Sequence, residues 1–387
     1  MREPLHRDMD HARKLLRRRR GATDSLLGER RALSIAGKDE RSFLRAMQEA
    51  FAHHFLSCSL YREHCRRRGF VPGSLRRSED LPRIPYLFAT VFQRHRLLSV
   101  PAEKIRLTLT SGGNGCEQSA IHLDGRSLRR IRTLVKHVYG DLGLTSPRRT
   151  NYLCFTCDPA AATDSGMAFS EQVLTSMTRV HQVFYAIRRS EDAWHLDTDG
   201  CLEHLERYER SGRPLRVLGF PAEAWEALAL CVRRRGGSFR FGPFSYVIIG
   251  GGRKDPAGRE IPREEFRRTT AEWLGIPPDN VRDLYSLAEH GVPYCECEFG
   301  RMHVPRASRV YVREPESLEL LPWGEPGVLQ LLTPCLWSFP SISLLSTDVG
   351  HLDPECPCGR RSPVLVLQGR GGASRRREVR DALRKIS

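Results

Sequence analysis

The stretch VRDLYSLAEHG (281–291) marks the point where the chain changes character. From there on, short β-branched and apolar runs recur in MHVP, RVYVREP, GVLQLLTP, SISLLSTDVG and PVLVLQGRGG, which predicts a strand-rich end. Inside the stretch, Tyr285 stands four residues before Glu289. Further on, LLSTDVG (344–350) ends a strand with Asp348, and LQGRGG (367–372) ends another with Arg370. An aromatic ring can stack on a base and a carboxylate can hold magnesium. An aspartate can accept both hydroxyls of a ribose, and an arginine can bridge ribose or phosphate. Each residue also has an ordinary reading as turn or cap chemistry; their joint order is what chance does not readily supply.

Upstream of residue 281 the patterns alternate. Residues 39–68 read as one helix, with Leu44, Met47, Phe51 and Phe55 at spacings of three and four. LPRIPYLFATVF (81–92) reads as a proline-punctuated loop leading into a short helix. KIRLTLT (104–110) and QSAIHLD (118–124) read as paired strands, and 127–144 as a helix. NYLCFT (151–156) and LRVLGFP (215–221) are short buried-type strands. A helix follows at 222–237, stopped by Gly236 and Gly237; then come a strand and glycine turn at 245–254 and a helix at 263–275. Strands alternating with helices, followed by a β-rich end, predict an α/β fold with a β-rich annex. The expected organisation is a basic helical segment (1–80), a core domain (81–369) and a hinge with a short basic tail (370–387).

Between the first two paired strands lies TSGGNG, residues Thr110, Ser111, Gly112, Gly113, Asn114 and Gly115. Successive N–H groups and two hydroxyls in such a loop can cradle phosphate oxygens. A plain hairpin turn explains the same residues. It is not a Walker loop, since no Lys-Ser/Thr ends it.

Composition excludes several classes. With 387 residues, 40% hydrophobic and 28% charged, the chain is neither disordered nor fibrous. No run approaches the ~20 apolar residues a membrane span needs, and no apolar stretch follows the basic N-terminus as a secretory signal requires. The expected location is the cytoplasm. Net charge is +16, but residues 1–20 and 370–387 each carry +5 of it, and only six of the 62 basic residues are lysine. That distribution, without a helix-turn-helix, RNA-recognition or finger signature, argues against sequence-specific nucleic-acid binding. The Arg17–Arg20 run reads as a solvated, frayed terminus, or else as an arm that docks on a partner.

Twelve cysteines, about 3% of the chain, are too few for a disulfide scaffold of this size. Eight are scattered, as small buried hydrophobes are. The others form two tight pairs, Cys295-Glu-Cys297 with His303 five residues beyond, and Cys356-Pro-Cys358-Gly. In an extended segment, C-x-C puts both thiols on one face, so two pairs can meet in tetrahedral geometry around a structural zinc, with His303 as substitute ligand. One intervening residue is tighter than the usual two to four, and buried free thiols are the other reading.

The order of the glycine loop, Tyr285, Glu289, Asp348 and Arg370 resembles the adenylate-forming superfamily. The wording is most similar to the LuxE-type acyl-protein synthetases and the related phenylacetate–CoA ligase branch. IPYLF and VIIGGGRK also fit, so the resemblance spans roughly residues 80–372. It implies the large N-terminal domain of such enzymes with a β-rich subdomain, the C-terminal lid domain being missing or vestigial. It implies that residues 110–115 hold ATP phosphates and that Gly250, Gly251 and Gly252 lie near the adenine, on which Tyr285 stacks. Glu289 would bind Mg²⁺, Asp348 the ribose, and Arg370 would sit at the hinge. The implied chemistry is attack of a fatty or aromatic carboxylate on the ATP α-phosphate, giving an acyl-adenylate that is passed to a protein or small-molecule acceptor.

Three departures qualify the resemblance. The family loop carries a lysine soon after its last glycine, where this chain has Cys116, Glu117 and Gln118. Standard members continue into a lid domain with a catalytic lysine, whereas 17 residues follow Arg370 here, as in the similarly short LuxE type. LuxE-type enzymes accept the acyl group on a cysteine after the GR motif, and Val379 stands about where that thiol would be. The acceptor is then expected to be another protein, such as a reductase partner, or a small thiol or amine. A non-catalytic relative that binds nucleotide or acyl groups and works through a partner is the alternative.

Overall fold

The computed structural model describes residues 2–35, 37–110, 120–159, 166–190, 193–251 and 259–370. The chain forms two compact units. One comprises Met1–Asp141, Ser286–Tyr294 and His303–Ser387; the other comprises Leu142–Tyr285 and Cys295–Met302.

The second unit is a doubly wound sheet. Strands Ser146–Cys157, Thr178–Ser190, Leu215–Gly219, Tyr246–Ile249 and Val281–Tyr285 run parallel, with Ala193–Leu196 antiparallel at one edge and the two-residue strand Tyr294–Cys295 at the other. Helices Gly166–Thr175, Thr198–Arg210, Pro221–Arg235 and Arg263–Leu274 make the crossovers. Local chemistry sets their ends. Pro221 stands in the first turn of its helix, and Gly236 closes it at φ 75°, in the left-handed region open to glycine. Gly275 does the same at φ 63°. Between sheet and helices, Leu153, Phe155, Val217, Val247, Ile249 and Val281 pack with Leu205, Ala227, Leu228, Phe266 and Leu274. Burying each of the larger side chains stabilises the fold by ~1.5–3 kcal/mol. The reading of the sequence placed no element between 157 and 214. The long strand Thr178–Ser190 lies there because parallel pairing with Ser146–Cys157 organises a run whose RVHQVF and IRRS ends are too polar to read as a buried strand.

The first unit holds the strand-rich end. Its main sheet runs Met302–His303, Val364–Arg370, Ser343–Asp353, Gly327–Leu332, Arg309–Arg313. Leu87–Phe88, within the stretch read as a loop, pairs parallel with Leu344–Leu345. Ile105–Thr110 and Ala120–Asp124 form the separate hairpin anticipated around the glycine loop. Helices Gly37–Ser57 and Ser59–Arg67 replace the single helix expected over 39–68, because Cys58 is extended at φ −113°, ψ 108°.

The basic N-terminus is not frayed. Arg2–Arg19 is a helix with Ala12 fully buried; Arg19 Nε donates to Gln48 Oε1 (2.8 Å), and the Gly21 and Thr23 amides donate to the buried carboxylate of Glu49 (2.7 and 2.8 Å). Among the described residues, no helix is long and apolar enough to cross a membrane.

Candidate functional site

In the second unit the strand order reverses at Ser146–Cys157. The next strand in sequence lies on one side, and Leu215–Gly219, Tyr246–Ile249 and Val281–Tyr285 lie on the other. In open parallel sheets, ligands bind beyond the carboxyl ends of the strands at such a reversal. The residues there are small for a reason. Gly219 has φ 123°, and a Cβ on it would lie 2.7 Å from the Phe155 carbonyl oxygen. A Cβ on Gly250 would lie 2.9 Å from the Leu284 carbonyl oxygen, and one on Gly251, also at φ 123°, 3.4 Å from the Phe220 ring. The Gly250 amide donates to Gly219 O (3.1 Å). Tyr285 is the buried last residue of its strand, while Phe220 is 38% exposed. This end of the sheet thus brings Gly250, Gly251 and Tyr285 together. Gly252 lies outside the described residues. The sequence reading passed over Gly219 and Phe220; the signal available was a glycine closing an apolar strand just before Phe-Pro.

In the first unit, Glu289 sits in a tight turn. The Leu287 carbonyl accepts from the amides of His290 (3.0 Å) and Gly291 (2.9 Å), and Gly291 takes φ 69°. Glu289 is buried, and behind it runs a hydrogen-bond chain whose directions follow from its far end. Ser308 Oγ donates to Leu332 O (3.0 Å), so Tyr294 OH donates to Ser308 Oγ (2.7 Å) and His290 Nε2–H donates to Tyr294 OH (2.8 Å). His290 Nδ1 has no hydrogen-bond partner, and burial pushes this histidine down to about 3. A neutral imidazole therefore backs the Glu289 turn, a feature that AEHG did not disclose.

Asp348 is buried on strand Ser343–Asp353, its amide donating to Ser346 Oγ (3.0 Å). Its backbone partner on the neighbouring strand is Arg370, and a bulge interrupts the ladder between this pair and Gly350–Leu367. Bulges re-aim side chains and are common beside functional sites. Thr110 ends its strand opposite Ala120. Ser111, Gly112, Gly113, Asn114 and Gly115 lie outside the described residues.

In the first unit, the ligand atoms of His303, Cys356 and Cys358 lie within 4.8 Å of one another. His303 is fully buried; its Nδ1 meets Ser362 Oγ (3.0 Å), which turns Nε2 to Cys358 Sγ (3.2 Å). Burial opposes ionisation of Cys358, but bonds from the Arg360 backbone and side chain, and from Cys356, outweigh it and bring the thiol below its ordinary range. Two thiols and an imidazole at this spacing can hold a metal ion. Cys295 and Cys297, placed among the ligands by their spacing, lie in the second unit. There the chain reverses from Cys297, whose amide and carbonyl bond Arg301 O and the Gly300 amide (both 2.9 Å).

Comparisons with known proteins agree with this architecture. The long-chain-fatty-acid–luciferin-component ligase of Vibrio harveyi is 23% identical over 312 residues, covering 80% of this chain and 79% of that one. The phenylacetate–coenzyme A ligase of Thermus thermophilus is 26% identical over 341 residues, 83% and 68% of the two chains. Among solved structures, an open conformation of 2-hydroxyisobutyryl-CoA ligase, in complex with 2-HIB-AMP and CoA, superposes with a TM-score of 0.70 at 17% identity, over 89% of this chain and 72% of that one. That likeness shows the fold, the large α/β body of adenylate-forming ligases. The family model "Acyl-protein synthetase, LuxE" matches residues 22–385, and the chain therefore belongs to the LuxE acyl-protein synthetase family of acyl-adenylate-forming ligases.

Proposed function

We propose that this protein activates a long-chain fatty acid with ATP and passes the acyl group to an acceptor on another molecule. A carboxylate oxygen attacks the ATP α-phosphorus, the bond to the β,γ-bridge breaks, and pyrophosphate leaves an acyl-adenylate. A thiol or amine then attacks the acyl carbon and releases AMP. The observation that carries the acid class is the match over about four-fifths of both chains to a fatty-acid ligase; an aromatic acid, suggested by the phenylacetate ligase, is the competing outcome. Val379 stands about where the family's acceptor thiol is expected, and in this reading the acceptor group belongs to a reductase partner or a small thiol or amine.

In this reading Gly250–Gly252 border the adenine and Tyr285 stacks on it. Asp348 accepts the ribose hydroxyls, Arg370 acts at the hinge, and residues 110–115 hold the phosphates. Glu289 holds Mg²⁺, which neutralises charge building on the phosphates. The neutral His290–Tyr294–Ser308 chain fixes the turn that presents Glu289. The test is acid-dependent exchange of pyrophosphate into ATP against fatty and aromatic acids, with Asp348→Ala as control. Silence across the panel, with ATP still bound, would favour the non-catalytic relative, a reading supported by Cys116-Glu117-Gln118 where a lysine is expected.

The Cys/His group reads as a structural zinc centre that includes His303, Cys356 and Cys358. With a fourth protein ligand no position would be open for a reacting water, so it would contribute folding energy rather than chemistry. Metal content of the purified chain tests it.

A further inference from the structure

At the amino ends of the parallel strands in the second unit, cations gather without anions. Four strands lie side by side there, in the order Thr178–Ser190, Ser146–Cys157, Leu215–Gly219, Tyr246–Ile249, a row about 15 Å across at the ordinary strand spacing. Arg148, Arg149 and Arg179 are exposed on the first two strands, Arg149 and Arg179 as partners in the ladder, and Arg213 stands just before the third. Loss of hydration, then the charges of Arg213 and Arg149, hold His181 below its ordinary range. None of these four guanidiniums is ion-paired among the described residues. Glu209, in the helix turn before Arg213, pairs with Arg235 and accepts from the Arg240 amide (2.7 Å); Asp279, before Val281, pairs with Arg267. Apolar surface lies among the cations. Phe244, just before the fourth strand, is 54% exposed, and Val180 is 44% exposed. The Arg148 guanidinium lies 4.0 Å over the Phe244 ring. The loop beneath that ring is fixed: Asn280 Nδ2 donates to both Pro243 O and Ser245 O (2.9 Å each), and Ser245 Oγ accepts from the Leu215 amide (2.9 Å).

We propose that this face of the second unit docks an acidic amphipathic helix of a partner protein, with Phe244 and Val180 against its apolar side and the arginines against its carboxylates. Charge complementarity identifies the occupant: four unpaired guanidiniums call for an acidic rim, and the two exposed apolar side chains call for apolar ones at its centre. Arginine and aromatic residues are those that concentrate where protein interfaces gain most of their energy. A row about 15 Å across also suits a helix, whose diameter with side chains is about 10–12 Å. Because the loop under Phe244 is already ordered, little conformational entropy is lost when a partner arrives. A single-stranded nucleic acid fits less well, since it needs several aromatic platforms and the one ring here has Arg148 over it. Ligands of open parallel sheets bind beyond the carboxyl ends of the strands. A partner seated at the amino ends therefore leaves the end bearing Gly219, Gly250 and Tyr285 uncovered.

The test is fluorescence anisotropy on the full chain, with a labelled helical peptide that carries leucines along one face and glutamates on both flanks. Wild type should bind it saturably, with an affinity that falls as salt is raised. Arg148→Glu combined with Arg149→Glu, and separately Phe244→Ser, should each weaken binding by ~10-fold or more, the scale of an interface anchor. Arg189→Glu combined with Arg268→Glu makes the same change in net charge at exposed positions elsewhere in the second unit, and should alter binding less than ~2-fold. Absence of saturable binding to wild type overturns the proposal. So does an equal loss in the two double variants, which would mean attraction to net charge alone. Single-stranded RNA and phosphatidylglycerol vesicles are run beside the peptide. Tighter binding of either one, lost in Arg148→Glu with Arg149→Glu, would assign this face to a different partner and overturn the proposal. Should circular dichroism show Phe244→Ser to be unfolded, Arg179→Glu decides: several-fold weaker peptide binding supports the docking face, and unchanged binding overturns it.

Discussion

Asp348 and Arg370 are backbone partners across two antiparallel strands, and the ladder slips immediately beyond them, before Gly350 pairs with Leu367. Twenty-one residues separate them in sequence. The β-rich end of the chain brings them side by side at the irregular end of the ladder, with the Asp348 carboxylate buried.

Replacing Asp348 by alanine removes the acceptor proposed for the ribose hydroxyls. Hydrogen bonds to a charged group contribute ~1.5–3 kcal/mol each, so a loss of about 3 kcal/mol, or ~150-fold in kcat/KM for ATP, is expected. Initial rates of acid-dependent pyrophosphate exchange measure it. A variant that folds normally and retains wild-type exchange would remove Asp348 from the site.

The first unit should weaken in mild acid before its carboxylates titrate. Burial holds His53 down to about 4 and His290 down to about 3, against an unfolded value near 6.5. His53 lies flat on Trp337, with ring centroids 3.5 Å apart, and donates from Nε2 to the Trp337 carbonyl (2.9 Å). Because the unfolded chain binds these protons more readily, their contribution is fully present above pH 6.5 and falls as pH drops below it. At pH 5 each histidine costs about 2 kcal/mol of stability relative to pH 8. Thermal unfolding between pH 8 and 5 should show the decline, and His53→Gln should flatten it.

Gly219→Ala should be strongly destabilising. Its φ of 123° suits only glycine, and the added Cβ meets backbone rather than a movable side chain. Strain and overpacking together cost about 2–5 kcal/mol, a fall of roughly 10 °C in Tm. Gly212→Ala is the control: its φ is 63°, but nothing lies within 4 Å of the new methyl, and about 1–2 kcal/mol is expected. Equal effects at the two positions would contradict the close approach at Phe155.

Cysteine substitutions test the metal reading. Cys356→Ser and Cys358→Ser should each lower bound zinc from one equivalent and lower Tm. Elemental analysis of the purified variants reads this directly. Metal content unchanged in both variants would remove the first unit's thiols from the ligand set.

Much of the architecture was legible because the signals are local. Gly236 and Gly275 stop helices through the backbone freedom of one residue. RVYVR (309–313) reads as a strand because alternation at period two survives in any half-buried sheet. The order of Tyr285, Glu289, Asp348 and Arg370 is likewise a property of the chain itself, and it was enough to point to the adenylate-forming ligases. Less was legible where polarity and pairing disagree. RVHQVF at 179–184 looks unlike a buried strand until Ser146–Cys157 lies beside it, and the Arg-rich N-terminus, whose Arg17, Arg18 and Arg20 are exposed, looks frayed until Gln48 and Glu49 take up the groups near its end.

By itself, then, the amino-acid order determined the succession of elements, the α/β class with its β-rich end, and the family. Tertiary structure alone decided that His303 comes beside Cys356 and Cys358, that a neutral His290 stands behind Glu289, and that a bulge borders the Asp348–Arg370 pair. The reason is range. Caps, turns and periodicity are energies between residues a few positions apart, which a linear reading contains. A ligand set or a proton's position depends on where the chain reverses and on what is packed there from segments tens of residues away.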